Sequence, residues 1–273
     1  MDRPPHPSSP DPPAAMAPGT APQGMAPPGT APSAPVRGEP LALPPFDAVS
    51  LDVGGVLVVP DHGIVANALD RAGVPYDRGR FFEGHYRAMA AVDRCLSEPE
   101  HFTDYAHGFV RAVGVPDGHV DAAAAALEPV LASPVWLQRV PGGLAAARRL
   151  AAAGLRLAVT SNADGTVADL LARHELAQVG DGEGVPVEHI TDSGVLGVGK
   201  PDPSMFLATA RGLGLPPERI CHVGDSHWYD ASGALGVGMV AVHVDPLGLC
   251  PHDDHAHAGS LADFADRLLA ARG

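Results

Sequence analysis

Residues 47–59, with the sequence DAVSLDVGGVLVV, decide the fold of this chain. They hold two mostly apolar runs, 49–53 and 56–59, which Gly54 and Gly55 separate. A strand buried on both faces of a parallel sheet has a continuous apolar run of this kind rather than an alternating pattern. The two glycines interrupt the run where a chain would turn over a ligand. The stretch therefore predicts a buried parallel strand that ends beside a ligand site.

Downstream of residue 141, short apolar runs alternate with amphipathic segments. The expected strands are 155–159, 187–191, 219–223 and 239–244, with helices between them and a last helix at 260–271. This alternation predicts right-handed crossovers and an open parallel sheet that helices cover on both faces. The predicted fold class is α/β, a doubly wound, Rossmann-like parallel sheet core.

Residues 61–135 differ from this pattern because their apolar residues recur every three to four positions. They predict an α-helical domain inserted between core segments 46–60 and 136–273. Residues 1–45 hold 15 of the 29 prolines and few large apolar residues. Such a segment cannot offset the entropy of ordering, so we expect a disordered Pro/Ala-rich tail.

Charge and cysteine content limit the class of protein. The chain has 18 Lys and Arg against 32 Asp and Glu, for a formal net charge of -14. That balance argues against a nucleic-acid partner. The 3 cysteines are widely spaced, and neither a secretory signal nor a membrane-spanning run is expected. We therefore expect a cytoplasmic protein with no membrane partner; a homodimer is left open.

Polar residues follow the predicted strands at their carboxyl ends, where open α/β sheets bind ligands. Carboxylates at such a point can attack phosphorus and form an aspartyl-phosphate, or bind Mg²⁺, which prefers oxygen ligands. An ammonium group would neutralise the phosphoryl charge, and a hydroxyl can donate to a phosphoryl oxygen. The residues expected to converge on one crevice are Asp52, Thr160, Ser161, Asn162, Lys200, Asp225 and Asp230.

The order of LDVGGVLV, VTSN, GKPDP and GDSHWYD resembles the four motifs of the haloacid dehalogenase-like superfamily. The resemblance covers residues 46 to about 245, and the helical insert resembles the helical cap of that family. It implies Mg²⁺ as the cofactor and a small phosphorylated substrate as the partner. By the resemblance, Asp52 is both the nucleophile and a metal ligand. The Gly54 backbone carbonyl and Asp225 are further metal ligands, and Asp230 lies next to these ligands without binding the metal directly. Ser161 and Lys200 act in catalysis.

One position departs from the family pattern. Phosphatases of this family usually carry a second aspartate two residues after the nucleophile, as general acid and base, and here that residue is Gly54. Glycine keeps the backbone carbonyl but has no proton donor, which is worth about 10²–10⁴-fold when positioned. The departure predicts a substrate with a good leaving group, or a replacement acid such as His62.

The remaining predictions concern substrate contacts and histidines. The expected substrate-binding residues are Ser161, Asn162 and Lys200 and, on the helical insert, His85 and Arg87; the alternative for the two insert residues is a solvated amphipathic helix. The segment PHDDHAH at 251–257 has metal-ligand residue types but no predicted strand or helix to fix them, so it is interpreted as a solvated loop. His222 and His243 are interpreted as core histidines.

Three functions compete. The leading one is a Mg²⁺-dependent phosphatase of a small phosphorylated metabolite that acts through Asp52. The second is a carbon–halogen hydrolase, in which a carboxylate also attacks but no Mg²⁺ is needed. The third is a non-catalytic phosphate-binding pseudoenzyme, which Gly54 and the long tail would favour.

Overall fold

The computed structural model describes residues 41–97, 103–132 and 134–272, so the predicted tail lies outside them apart from 41–45. The strands are β1 (Ala48–Leu51), β2 (Val58–Pro60), β3 (Trp136–Arg139), β4 (Arg156–Ser161), β5 (Ala177–Val179), β6 (Val185–Val187), β7 (His189–Asp192), β8 (Ile220–Gly224), β9 (Val240–Val244) and β10 (Ala256–Ala258).

The helices begin with the insert and continue between the strands. They are α1 (His62–Ala72), α2 (Phe81–Ser97), α3 (Tyr105–Ala112), α4 (Val120–Leu131), α5 (Gly143–Ala152), α6 (Val167–Arg173), α7 (Ser193–Leu196), α8 (Pro203–Leu213), α9 (Gly233–Gly236) and α10 (Leu261–Arg272). A π-helical turn, His227–Ser232, precedes α9. Within the described ranges, no helix combines the length and apolar character that a bilayer crossing requires.

Six strands form one parallel sheet in the order β10-β9-β8-β1-β4-β7. Its two faces are filled by different clusters. Val49 of β1 packs with Leu150 of α5 and Phe264 of α10, whereas Ala48 packs with Phe206 of α8 on the other face. Because β1 lies at the centre with helices on both sides, its apolar run is continuous rather than alternating. The predicted doubly wound α/β fold is confirmed.

The second apolar run, 56–59, has a different role from the one its composition indicates. It does not extend β1; instead β2 pairs antiparallel with β3 in a separate two-stranded ribbon. The chain enters the insert just after β2 and leaves it just before β3. The ribbon therefore joins the two connections of the helical insert at their base.

Helices α1 to α4 have an apolar cluster of their own. Leu69, Phe81, Phe109 and Leu127 are buried in it, away from the clusters on the sheet. The Asp61 carboxylate caps α1 by accepting a hydrogen bond from the backbone N–H of residue 64, a standard stabilisation of a helix start. The insert therefore has a packed apolar core of its own.

Candidate active site

The register of the sheet brings the carboxyl ends of three strands to one level. Leu51 at the end of β1 pairs with Val159 of β4 on one side and Val223 of β8 on the other. The backbone N–H of Asp52 then donates to the Val223 carbonyl at 2.9 Å. The residues that follow these strands therefore lie side by side, as parallel-sheet geometry requires.

Three carboxylates and one ammonium group meet at this edge. One carboxylate oxygen each from Asp52, Asp225 and Asp230 lies within 4.8 Å of the others. Lys200 Nζ lies 2.8 Å from Asp52 Oδ1 and 2.6 Å from Asp230 Oδ1. All four side chains are buried, so water screens these charges little.

Burial and charge set the protonation of this cluster. Burial raises the pKa of Asp52 to about 7 against the opposing charge of Lys200. The carboxylates of Asp230 and Asp225 act in the same direction as burial. Burial alone would also raise the pKa of Asp230, but Lys200 and His222 outweigh it and hold that pKa well below its usual range. Lys200 and Asp230 therefore form an ion pair, and the negative charge on Asp52 remains undercompensated.

This excess of negative charge fits a divalent cation. Mg²⁺ takes oxygen ligands and removes the repulsion between neighbouring carboxylates. The Gly54 carbonyl accepts one hydrogen bond, from Val56 N at 2.7 Å, and keeps a second lone pair. At Gly55, where φ is 63°, a Cβ atom would lie 2.1 Å from Asp225 Oδ2, so only glycine lets the turn approach Asp225 this closely.

The residues after β4 divide between the interior and the site. The Thr160 hydroxyl is bonded inside the core, 2.7 Å from Ser50 Oγ and 2.6 Å from Thr209 Oγ1. Ser161, in contrast, lines the cavity beside Asp52. Asn162 holds the Lys200 backbone at both polar groups, accepting from its N–H at 2.7 Å and donating to its carbonyl at 3.1 Å. Asn162 thus positions Lys200.

The helical insert contributes His85 to the carboxylate cluster. His85 Nε2 lies 2.8 Å from Asp225 Oδ2, and its Nδ1 lies 2.8 Å from the Tyr105 hydroxyl. The His85 side chain is 1% exposed. Next to it, the Tyr86 hydroxyl donates to the Gly55 carbonyl at 2.7 Å. Two adjacent residues of α2 therefore hold the two sides of the predicted metal site.

Asp93 is a site residue that the sequence did not indicate. Its carboxylate accepts from Ser226 Oγ and from the backbone N–H groups of His227 and Trp228, directly after Asp225. Asp93 follows His85 by two steps of four residues, which lie along one side of a helix. That spacing is the signal that would have predicted a second polar contact from α2.

Two predicted residues lie away from the cluster. The Arg87 guanidinium binds Glu83 at 2.6 Å with both side chains partly exposed, and Arg87 does not line the cavity. Its position therefore does not support the predicted substrate contact. His62 packs against the rings of Phe81 and Phe82, also outside the cavity. Its proposed part as replacement acid finds no support there.

A cavity of about 480 Å³ opens above Asp52 and between the insert and the sheet. Ser161 and Lys200 line its base, and Lys200 is the only Lys or Arg among the described residues that line it. Most of the remaining wall is apolar, including Met89, Leu131, Pro134, Trp136, Val167 and Leu170. The cavity therefore offers one cationic point at its base and a mostly apolar wall, to which Asp164 adds one negative charge.

The model of one hydrolase family, described as haloacid dehalogenase-like hydrolase, matches residues 46–238. The chain belongs to this family. The family that the four motifs predicted is thus confirmed, and the match extends through the helical insert of this hydrolase.

Known relatives agree with this placement. The hydrolase is 41% identical to a phosphoserine phosphatase of Thermus thermophilus over 113 residues, 41% of each chain. It is 29% identical to haloacid dehalogenase-like hydrolase domain-containing protein 3 of Mus musculus, over 58% of this chain and 63% of that one. The alignments thus span less than two thirds of these relatives. A solved L-2-haloacid dehalogenase, RSc1362, shares the fold with a TM-score of 0.53 and 22% identity, over 84% of this chain and 100% of that chain.

Proposed function

We propose that this hydrolase is a Mg²⁺-dependent phosphatase of a small phosphate monoester, with Asp52 as the covalent nucleophile. The observation that carries the proposal is the buried group of Asp52, Asp225 and Asp230, whose oxygens lie within 4.8 Å of one another beside Lys200. Carbon–halogen hydrolysis needs the attacking carboxylate but no Mg²⁺, whereas the carboxylate of Asp225 beside Asp52 can hold such an ion. The similarity to a phosphoserine phosphatase supports the same choice.

Each residue has a part in the proposed reaction. An oxygen of Asp52 attacks phosphorus, the bond from phosphorus to the alcohol oxygen breaks, and water then hydrolyses the aspartyl-phosphate. When bound, Mg²⁺ supplies positive charge that offsets the negative charge of Asp52 and of the phosphoryl oxygens. Lys200 adds positive charge at the nucleophile, and Ser161 is placed to donate to a phosphoryl oxygen. Asp230 keeps Lys200 charged and in place.

The leaving group has to depart without help from residue 54. A Cβ atom on Gly54 would lie 3.3 Å from the Trp136 ring, so this ring stands close to where an aspartate side chain would begin. The cavity wall also holds the carboxylate of Asp164, but hydrogen bonds from the hydroxyl and backbone N–H of Thr166 lower its pKa, so it carries no proton to donate. We therefore propose a substrate whose alcohol leaves readily as an anion, such as a phenol.

The cavity wall supports an uncharged and mostly apolar alcohol portion. A substrate carboxylate or second phosphate there would meet apolar side chains and no cation beyond Lys200. An unpaired polar group that is removed from water costs about 1–3 kcal/mol, and more when it is charged. Because 1.36 kcal/mol corresponds to a tenfold change in rate, the charge alone would lower kcat/KM by about tenfold or more.

These arguments predict a specific ranking of substrates. With Mg²⁺ present, we expect kcat/KM for 4-nitrophenyl phosphate to exceed that for O-phosphoserine by at least about 10-fold. Steady-state phosphate release across a panel of aryl, alkyl and carboxylated monoesters measures this. Release of halide from 2-haloacids without added metal, together with no phosphate release, would replace the proposed function by carbon–halogen hydrolysis. A preference for O-phosphoserine would contradict only the assignment of substrate class.

His85 gives a second prediction, because it holds a proposed metal ligand. Replacing His85 with alanine removes the hydrogen bond to Asp225, and partners of this kind typically contribute 10–100-fold to metal affinity. We expect His85→Ala to raise the Mg²⁺ concentration for half-maximal activity by about 10–100-fold. The matched control is Arg87→Ala on the same helix, which should leave it unchanged. Equal effects in both variants would mean that the loss arises from damage to α2.

The cytoplasm remains the proposed location. None of Cys95, Cys221 and Cys250 is in a disulfide. Free thiols are typical of a reducing compartment, which supports the proposal.

A further inference from the structure

A second cluster of metal-ligand residues lies behind the Asp225 loop, on β9 and in the segment that follows it. We propose that it is a zinc site formed by four side chains: His243, Cys250, His255 and His257. One ligand atom from each of the four lies within 4.8 Å of the others. The predicted solvated loop at 251–257 is wrong for residues 256 and 257, which belong to β10 and pair with β9.

The backbone explains why these residues meet. His257 on β10 is the direct register partner of His243 on the neighbouring β9. His255 lies in the bend directly before β10, and its ring centroid is 4.5 Å from that of His257. The Asp245 carboxylate accepts from Leu249 N at 3.0 Å and from Cys250 N at 2.9 Å, which folds the intervening loop. That turn directs Cys250 back towards the histidines, with its Sγ 3.7 Å from His255 Nε2.

Each histidine has one ring nitrogen occupied by an oxygen acceptor. His243 Nε2 lies 3.1 Å from the Asp225 carbonyl, and His257 Nε2 lies 3.0 Å from the His252 carbonyl. A carbonyl oxygen only accepts, so both nitrogens must carry the proton and donate it. His255 Nδ1 lies 2.6 Å from the Asp254 carboxylate in the same manner.

The other ring nitrogens are therefore left with lone pairs. These are His243 Nδ1, His255 Nε2 and His257 Nδ1. His243 is 6% exposed, and its Nδ1 is buried with no hydrogen-bond partner in the part of the chain that the structure describes. A buried polar atom without a partner is costly, and metal binding removes that cost. Histidines that ligate metals bind an oxygen acceptor through the other nitrogen in this way.

The donor set selects zinc over magnesium. One thiolate and three imidazoles are the soft and borderline ligands that Zn²⁺ prefers, whereas Mg²⁺ requires oxygen. In a tetrahedral site with Zn–N of about 2.0 Å and Zn–S of about 2.3 Å, sulfur and nitrogen ligands lie about 3.5 Å apart. The distance of 3.7 Å from Cys250 Sγ to His255 Nε2 is close to this value. A small cavity of about 150 Å³, which His243 and Cys250 line, offers a route of entry.

The zinc site has a structural consequence for the Asp225 loop. His243 donates to the backbone carbonyl of Asp225, so an ion on the opposite nitrogen would fix the ring that holds this carbonyl. The same ion would fasten the segment between β9 and β10 to the sheet. Four protein ligands complete a closed tetrahedron, which is typical of structural zinc rather than catalytic zinc.

The test uses the untagged, full-length chain in buffer that contains excess Mg²⁺, so that the carboxylate cluster does not compete for zinc. After exposure to Zn²⁺ and gel filtration, mass spectrometry of the metal content should find one zinc per chain. We expect Cys250→Ser and His257→Gln to weaken zinc binding at least about 100-fold, more than loss of an outer partner does. Asp52→Asn and the exposed-histidine control His174→Gln should retain the metal.

Cobalt provides a second measurement that does not depend on any variant folding. Titration of the wild-type chain with Co²⁺ should produce the thiolate-to-cobalt absorption band and the intense visible bands of tetrahedral cobalt. Absence of the thiolate band, failure of the wild type to retain zinc, or unchanged zinc binding in Cys250→Ser would each overturn the proposal. Loss of zinc in Asp52→Asn would overturn it too, by placing the ion in the carboxylate cluster.

Discussion

Replacing Asp52 with asparagine is expected to lower kcat by at least about 10⁴-fold toward every phosphate monoester that the wild-type hydrolase cleaves. The amide has nearly the shape of the carboxylate but cannot attack phosphorus to form the acyl-phosphate. It also replaces an acceptor of the Lys200 ammonium, 2.8 Å away, by a neutral group. Steady-state phosphate release with saturating Mg²⁺ measures the loss.

The same strand supplies a matched control. Asp47 precedes the start of β1, at the opposite end from Asp52, where it binds Arg219 on the partly exposed surface. Asp47→Asn should keep wild-type kcat, because exposed pairs of this kind contribute only about 0–1 kcal/mol to stability.

A trapped intermediate distinguishes the loss of a covalent nucleophile from a loss caused by misfolding or by weaker metal binding. Acid quenching during turnover should leave one phosphoryl group on the peptide that contains Asp52 in the wild type and none in Asp52→Asn. A phosphoryl group found on another residue, or a variant within tenfold of the wild-type kcat, would remove Asp52 from the proposed chemistry.

The position of Asp52 among its partners could be predicted from sequence, whereas its contacts with the helical insert could not. Parallel strands that alternate with helices bring their carboxyl ends to one edge, so residues after β1, β4 and β8 converge whatever their separation in sequence. The contact of His85 with Asp225 joins residues that are 140 positions apart. It depends on how α2 is rotated above the sheet, and periodicity gives the buried face of a helix but not its partner.

The proposed zinc cluster shows the same limit for a loop. Its residues are close in sequence, but their convergence depends on two backbone N–H bonds to Asp245 and on the pairing of β10 with β9. Strand β10 has only three residues, Ala256–Ala258, and its alanines have low strand propensity. Propensity alone therefore gave no reason to predict a strand there. Without that strand, nothing in the sequence shows that the histidine side chains point towards one another.

Lys200 is the site residue whose removal should most affect stability. It is the only lysine of the chain; all the other residues among the 18 Lys and Arg are arginines. Its Nζ binds Asp52 and Asp230, and these charges outweigh burial and raise the pKa of Lys200. A compact ammonium with three donors fits between two carboxylates, whereas the planar guanidinium of arginine is larger and fixed in shape.

Lys200→Met is expected to lower the free energy of unfolding by about 3–5 kcal/mol, because it leaves two buried carboxylates without their cation. Urea denaturation at pH 7.5 in the presence of EDTA measures this, with the exposed Arg211→Met of α8 as the control. Lys200→Arg should recover little activity, since it keeps the charge but not the shape. A loss below about 1 kcal/mol in Lys200→Met would mean that the ion pair is not buried in solution.

The loss should also depend on pH in a defined direction. Burial raises the pKa of Asp52 from 3.8 to about 7, so between these values the folded chain binds a proton that the unfolded chain does not. The contribution of Asp52 to the stability of the metal-free protein therefore falls as pH rises from about 4 through about 7. Without Lys200 the pKa of Asp52 rises further, so this decline should extend to higher pH. Because Mg²⁺ binds the ionised carboxylate, it should stabilise the wild type more at pH 8 than at pH 5. Equal stabilisation at both values would place the ion away from Asp52.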